Sequence, residues 1–254
     1  IMNNHRLYEL PRPVVFAHRG ASKFAPENTL ASFQKAMDMG AQALELDVTL
    51  SRDGKVVVIH DDRVDRTSNG SGEVSDLLLA DIQKLDAGSW FSPQFKDEKI
   101  PTLEEVFNLV KEKALINIEL KNAGKQNEEL VKKTAELVHT HKLHKTLIFS
   151  SFIPRNVRLV RETLPECPVG LLTLPAFAGK LEMLLFPHVS PDLIHPHYSN
   201  LSEAFIMKQH DQMRRVHTYT VNDAALMKKL TDWNVDGFFC DDLVTAHQVL
   251  SNNP

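Results

Sequence analysis

The stretch VVFAHRGASKFAPENTLASFQKAMDMGAQALELDV, Val14–Val48, decides the reading of the fold. It opens on four apolar, β-prone residues, Val14–Ala17, and breaks off at His18-Arg19-Gly20. Asn28 or Thr29 can then cap a helix whose apolar face is Leu30, Phe33, Ala36 and Met37, with Gly40 placed to stop it. Ala43–Val48 reads as a second strand and carries Glu45 and Asp47 two residues apart, hence on one face. Strand, helix and strand at this spacing make a parallel βαβ unit.

Outward from this unit, Ser51-Arg52-Asp53-Gly54 reads as a turn and Lys55–Ile59 as a further strand ending at His60-Asp61. Residues 61–100 break the rhythm: they are polar and turn-rich, with Asn69-Gly70-Ser71-Gly72, a short helix near Leu77–Leu85, and Trp90-Phe91. They are expected to be an insertion folded over something. Thr102 and Glu105 form a capping-box pattern ahead of Val106, Leu109 and Val110. Regular alternation follows. Strands are predicted at Leu115–Leu120, Thr146–Ser150, Val169–Thr173, Leu193–His195, Val216–Val221 and Gly237–Cys240. Between them lie helices at Glu128–His139, Pro154–Thr163, Phe177–Leu185, Ser202–His210, Asp223–Thr231 and Leu243–Leu250. Counting Val14–Ala17 and Ala43–Val48 as the first two, these make eight strands, each followed by a helix, and predict an α/β protein built as a single closed (β/α)8 barrel over residues 1–254. A doubly wound open sheet would also alternate, but the chain lacks the glycine-rich nucleotide loop of that class.

Composition agrees and excludes some partners. The 254 residues are 43% hydrophobic and 24% charged, an ordinary globular balance, and a net charge of -4 offers no basic field for nucleic acid. Cys167 and Cys240 cannot form a disulfide framework and fit a reducing compartment as two small buried side chains. No apolar run reaches the roughly 18 residues of a bilayer span, and IMNNHRLYELPRP holds no signal-like apolar region, so a cytoplasmic protein without membrane insertion is expected.

In a (β/α)8 barrel, functional groups stand at the C-terminal ends of the strands. His18 and Arg19 end strand one, Glu45 and Asp47 lie at the end of strand two, and His60 follows the KVVVI run. Glu119 and Lys121 end strand three, His197 follows strand six, and Tyr219 with Asn222 ends strand seven. Acids inside apolar strands are costly to bury unless paired or bound to a metal. Glu45, Asp47 and Glu119 together make a hard oxygen site suited to one divalent cation, Mg²⁺ or Ca²⁺, and a salt-bridge ring with Arg19 and Lys121 is the plainer alternative. Arg19 and Lys121 also suit an anionic substrate. A cation, two histidines and basic side chains in one pocket point to phosphoester cleavage, one histidine taking a proton and the other giving one to the leaving alkoxide.

Seven short motifs carry a resemblance: His18-Arg19-Gly20, Glu27-Asn28-Thr29, Glu45-Leu46-Asp47, His60-Asp61, Arg66-Thr67 through Leu85-Asp86-Ala87-Gly88, Ile100-Pro101-Thr102-Leu103, and Glu119-Leu120-Lys121. In this order they resemble the glycerophosphodiester phosphodiesterases. That resemblance implies a barrel with a small insertion after the second β/α unit, metal ligands at Glu45, Asp47 and Glu119, and an acid/base pair at His18 and His60. It further implies phosphate binding by Arg19 and Lys121, with Glu27 bracing the pocket. The implied substrates are glycerophosphodiesters such as glycerophosphocholine or glycerophosphoethanolamine, cleaved to sn-glycerol 3-phosphate and an alcohol. The implied route runs through attack by the glycerol 2-hydroxyl and a cyclic phosphate, with direct attack by water as the alternative. Tyr219 stands where many members carry Trp, so substrate stacking is expected to differ. Two other readings compete: a barrel isomerase or aldolase using the acids for enolate chemistry, and a non-catalytic headgroup-binding module.

Overall fold

The computed structural model describes residues 4–121, 128–185, 189 and 192–251. Its strands are β1 (Val14–Ala17), β2 (Ala43–Leu50), β3 (Val56–Val58), β4 (Leu115–Leu120), β5 (Leu147–Ser151), β6 (Val169–Thr173), β7 (Leu193–Pro196), β8 (Arg215–Thr218) and β9 (Gly237–Cys240). All but β3 pair in parallel, in the order β1-β9-β8-β7-β6-β5-β4-β2, and β1 pairs again with β2. The sheet therefore closes into the predicted eight-stranded (β/α)8 barrel.

The helices are α1 (Leu30–Asp38), α2 (Leu79–Ile82), α3 (Leu103–Val110), α4 (Glu128–His141), α5 (Pro154–Thr163), α6 (Ala176–Glu182), α7 (Glu203–Asp211), α8 (Ala224–Asp232) and α9 (Leu243–Ser251). Thr29 rather than Asn28 caps α1, taking the Ser32 N–H while the Ser32 hydroxyl accepts from the Thr29 N–H. Thr102 and Glu105 complete the predicted box at α3. Such caps satisfy donors that the first helical turn leaves unpaired. Among the described residues no helix is long and apolar enough to cross a membrane.

Strand alternation divides the core. Leu44, Leu46 and Val48 of β2 and Ile116 and Ile118 of β4 pack outward beneath the helices with Phe33, Val106 and Phe107. Ala43 and Leu115 turn inward with Val14, Phe16, Ile148, Leu193 and Phe239. Leu7, carried on the turn Arg6–Tyr8, joins this inner cluster and stoppers the N-terminal mouth, held by Arg6 bonds to Glu112 and Lys113 carbonyls. Within the barrel, the buried rings of His195 and His217 lie 5.1 Å apart, His217 against Phe16 and His195 against Phe239, and these two phenylalanines stack on each other at 4.8 Å.

Several strand boundaries shift from the sequence reading, and two of the shifts bear on the site. β2 continues to Leu50 because β1 stops at Ala17, and the vacated edge of β2 is taken by β3 in antiparallel pairing, Val48 opposite Val58. Glu45 and Asp47 thus lie within β2, level with the end of β1, rather than at its end. β8 stops at Thr218, after which Tyr219 makes only an isolated bridge with His197. Residues 61–100 build a small apolar cluster on β3, in which Val64, Val74, Ile82, Ala87 and Ile100 pack on Val57 and Ile59.

Candidate active site

The same alternation that buries Leu44 and Leu46 outward turns Glu45, Asp47 and Glu119 into the barrel. The β2–β4 register sets Asp47 directly opposite Glu119, and one carboxylate oxygen from each of the three acids lies within 4.8 Å of the others. Burial, then the charges of Asp47 and Glu119, hold the Glu45 carboxyl well above the usual range. Glu119 is raised by burial and by Asp47, against the opposing pull of Lys121. Burial also opposes ionisation of Asp47, but Arg19, Lys121, His60 and the Asn28 amide outweigh it and keep this acid low. Three acids face two cations here, Arg19 and Lys121, so the cluster is net acidic. This hard, all-oxygen donor set fits a divalent cation.

Arg19 enters the site through an unusual backbone. At φ 56° it occupies the left-handed region, and Gly20 follows at φ 81°, where a Cβ would fall 2.4 Å from Ser32 Oγ. The turn is locked because the Arg19 carbonyl accepts from the Asn28 N–H and the Ser32 hydroxyl. The Arg19 N–H thereby donates to Glu45 at 2.8 Å. Its guanidinium donates to Glu27 at 2.9 Å and lies 3.4 Å from Asp47. Asn28, also left-handed at φ 57°, donates its amide to Asp47 at 2.9 Å. From β4, Lys121 reaches Glu119 at 2.7 Å and Asp47 at 3.7 Å.

Each histidine is anchored at Nδ1 by a carboxylate. His18 Nδ1 lies 2.7 Å from Asp241, and His60 Nδ1 lies 2.6 Å from Asp61. Asp241 also accepts from Ser22 and from Asn222; burial raises it most, but these partners together bring its pKa to about 2. Asp61 is lowered chiefly by Arg66, whose fork spans Asp61 and Glu27 with four hydrogen bonds. A continuous chain, His60–Asp61–Arg66–Glu27–Arg19–Asp47, links one ring to the acid cluster. With Nδ1 committed, the Nε2 edge of each ring is the one left for proton transfer. A cavity of about 470 Å³ opens beside His18 and Arg19, walled also by Lys23, Glu27, Asn222 and Asp242.

The sequence profile of the glycerophosphoryl diester phosphodiesterase family matches residues 18–245. The chain belongs to that family. A glycerophosphodiester phosphodiesterase of Caldanaerobacter subterraneus subsp. tengcongensis is 38% identical over 232 residues, spanning 91% of this chain and 95% of that protein. One from Bacillus subtilis is 35% identical over 254 residues, spanning 94% of this chain and 86% of that protein. Among solved structures, an Oleispira antarctica phosphodiesterase in complex with the product sn-glycerol-3-phosphate superposes with a TM-score of 0.88 at 32% identity, covering 97% of this chain and 99% of that one.

In this glycerophosphoryl diester phosphodiesterase, His18, Arg19, Glu27, Glu45, Asp47, His60, Glu119 and Lys121 all come to one end of the barrel. Tyr219 stands at its edge. Its hydroxyl is spent on the Thr173 carbonyl at 2.5 Å, and its ring meets Phe152 and His197 edge-on. The sequence reading passed over Asp241, Asp61, Arg66 and Asn28 as site residues. The acids carried a signal, since Asp61 adjoins His60 and Asp241 directly follows strand β9. Arg66 carried none that residue chemistry alone could use.

Proposed function

We propose that the enzyme hydrolyses glycerophosphodiesters such as glycerophosphocholine or glycerophosphoethanolamine to sn-glycerol 3-phosphate and an alcohol, with a divalent cation, Mg²⁺ or Ca²⁺, as cofactor. The observation that carries this reading is the pair of Nδ1-anchored histidines flanking a three-carboxylate cluster. Glu45, Asp47 and Glu119 would hold the cation, which when bound neutralises phosphate charge and acidifies a hydroxyl. Arg19 and Lys121 bind the non-bridging phosphate oxygens, and Glu27 keeps the Arg19 fork in place. One imidazole takes the proton of the glycerol 2-hydroxyl as that oxygen attacks phosphorus, and the other delivers a proton to the departing alkoxide. The rings exchange these roles when water opens the resulting cyclic phosphate. The carboxylates at Nδ1 hold each ring in one tautomer and stabilise its protonated form. The product bound in the Oleispira antarctica relative is the one this route releases.

Incubation of the protein with glycerophosphocholine and Mg²⁺ or Ca²⁺, assayed for glycerol 3-phosphate with and without chelator, tests the proposal. Chelator-sensitive release supports it, and no release across several headgroups overturns it. ³¹P NMR of the early reaction should show a transient cyclic phosphate; its absence under single-turnover conditions would favour direct attack by water.

A further inference from the structure

Helix α4 ends on a cap that folds two histidines onto one another. Lys142 follows its last residue in the left-handed conformation, at φ 57°. The Lys142 N–H donates back to the His139 carbonyl and the Leu143 N–H to the Val138 carbonyl, and Leu143 and Val138 are buried in one apolar cluster. These bonds make the Schellman reversal, which fixes the direction in which a chain leaves a helix. The chain next forms the single turn His144–Thr146 and enters β5. His144 is thereby carried back over the last turn of α4. Its Nε2 lies 2.8 Å from Nδ1 of His139, with the ring centroids 4.9 Å apart. His141, between them in sequence, lies elsewhere, edge-on to Phe107 and 3.6 Å from Glu104.

The partners of this pair set it apart. The rings of His18, His60, His141 and His210 each face a carboxylate, whereas among the described residues no carboxylate pairs with His139 or His144. One proton joins the two facing nitrogens, so one ring donates and the other accepts. If both lone pairs met one divalent ion at bond lengths of about 2.0–2.1 Å, the nitrogens would stand about 2.9–3.4 Å apart for angles from square to tetrahedral. The observed separation is within about 0.6 Å of that whole range, so small ring rotations would exchange the shared proton for a shared cation. The negative end of the α4 dipole adds to the attraction. Imidazole suits Zn²⁺, Ni²⁺ and Cu²⁺, while Mg²⁺ and Ca²⁺ prefer oxygen sets such as Glu45, Asp47 and Glu119. His144 precedes β5 and so stands at the opposite end of the barrel from His18 and Glu119.

We propose that His139 and His144 form a two-imidazole site for a divalent metal ion of the zinc class, with water completing the coordination. The ion staples the last turn of α4 to the turn that leads into β5 and stabilises that end of the barrel. It takes no part in the reaction proposed above, and the site does not depend on that reading.

Zinc titration of the full, metal-stripped chain against a chromophoric chelator, in excess Mg²⁺, tests the site. The wild type should take up an equivalent of Zn²⁺ whose affinity His139→Gln and His144→Gln each weaken about tenfold or more, because either change leaves a single protein ligand. Zn²⁺ should also raise the Tm of the wild type above its value in Mg²⁺ alone, and that increment should vanish in both variants. Histidine-ring NMR of the wild type needs no variant to fold: Zn²⁺ should move the signals of His139 and His144 in step and leave that of His141 in place. Zinc uptake lost in Glu45→Gln but intact in both histidine variants would put the ion at the acid cluster and overturn the proposal. Absence of zinc uptake by the wild type, or ring signals of His139 and His144 unmoved by zinc, would overturn it as well.

Discussion

His18 and Asp241 stand 223 residues apart, yet the ring Nδ1 and a carboxylate oxygen meet at 2.7 Å where the first and last barrel strands pair. Asp241→Asn removes the ionised partner while keeping the shape. The variant should lose about 10²- to 10⁴-fold in kcat with KM little changed, the scale of one positioned acid or base. Steady-state kinetics would check it, and near-full activity would remove Asp241 from the mechanism.

Arg66 joins the His60 partner Asp61 to Glu27 through its fork. Arg66→Lys keeps the charge and loses the bidentate geometry, so it should fall between wild type and Arg66→Ala in kcat/KM. Equal kinetics for Arg66→Ala and wild type would show the fork to be idle.

The acid cluster has a signature apart from turnover. Burial and mutual repulsion raise Glu45 and Glu119, so between their unfolded and folded pKa values the native state binds more protons than the unfolded chain. Metal-free protein should therefore lose stability as pH rises above about 4.5. Glu45→Gln should raise the Tm of metal-free protein at pH 7, and Mg²⁺ or Ca²⁺ should raise the Tm of the wild type but not of this variant. Thermal melts with and without chelator measure both effects.

His195 and His217 set an opposite trend. Both are fully buried, and no hydrogen-bond partner reaches either nitrogen of either ring among the described residues. Burial lowers His195 to about 3 and drives His217 well below its ordinary value. The unfolded chain takes up these protons as pH falls through about 6.5 while the native state does not, so stability falls with acidification. Each ring should cost about 2 kcal/mol between pH 7 and pH 5. Urea unfolding of His217→Phe, whose new ring would lie beside Phe16, should show one ring's share of that loss removed.

Gly20 has a backbone test. A side chain there would adopt φ 81° and strike the Ser32 backbone carbon at 2.7 Å. Gly20→Ala should cost more than about 2 kcal/mol in urea unfolding and displace Arg19, lowering kcat/KM as well.

What the sequence determined by itself was local. Two-residue alternation put Glu45 with Asp47, and Glu119 with Lys121, on one strand face each, and the alternation of strands with helices implied a closed barrel. The polar residues that break strand ends marked the catalytic face, because charges interrupting buried strands are rarely without purpose. Tertiary structure decided what depends on register and closure. Pairing of β2 with β4 brought Glu119 opposite Asp47, closure of β1 on β9 supplied Asp241 to His18, and the packing of residues 61–100 on β3 accompanies the Arg66 bridge between Asp61 and Glu27. The pairing of His139 with His144 was equally hidden. With His141 they read as solvated residues at a helix end, and only the chain reversal at Lys142 shows which two meet. Periodicity records which residues share a face, whereas the direction that face takes is set by contacts between segments distant in the chain.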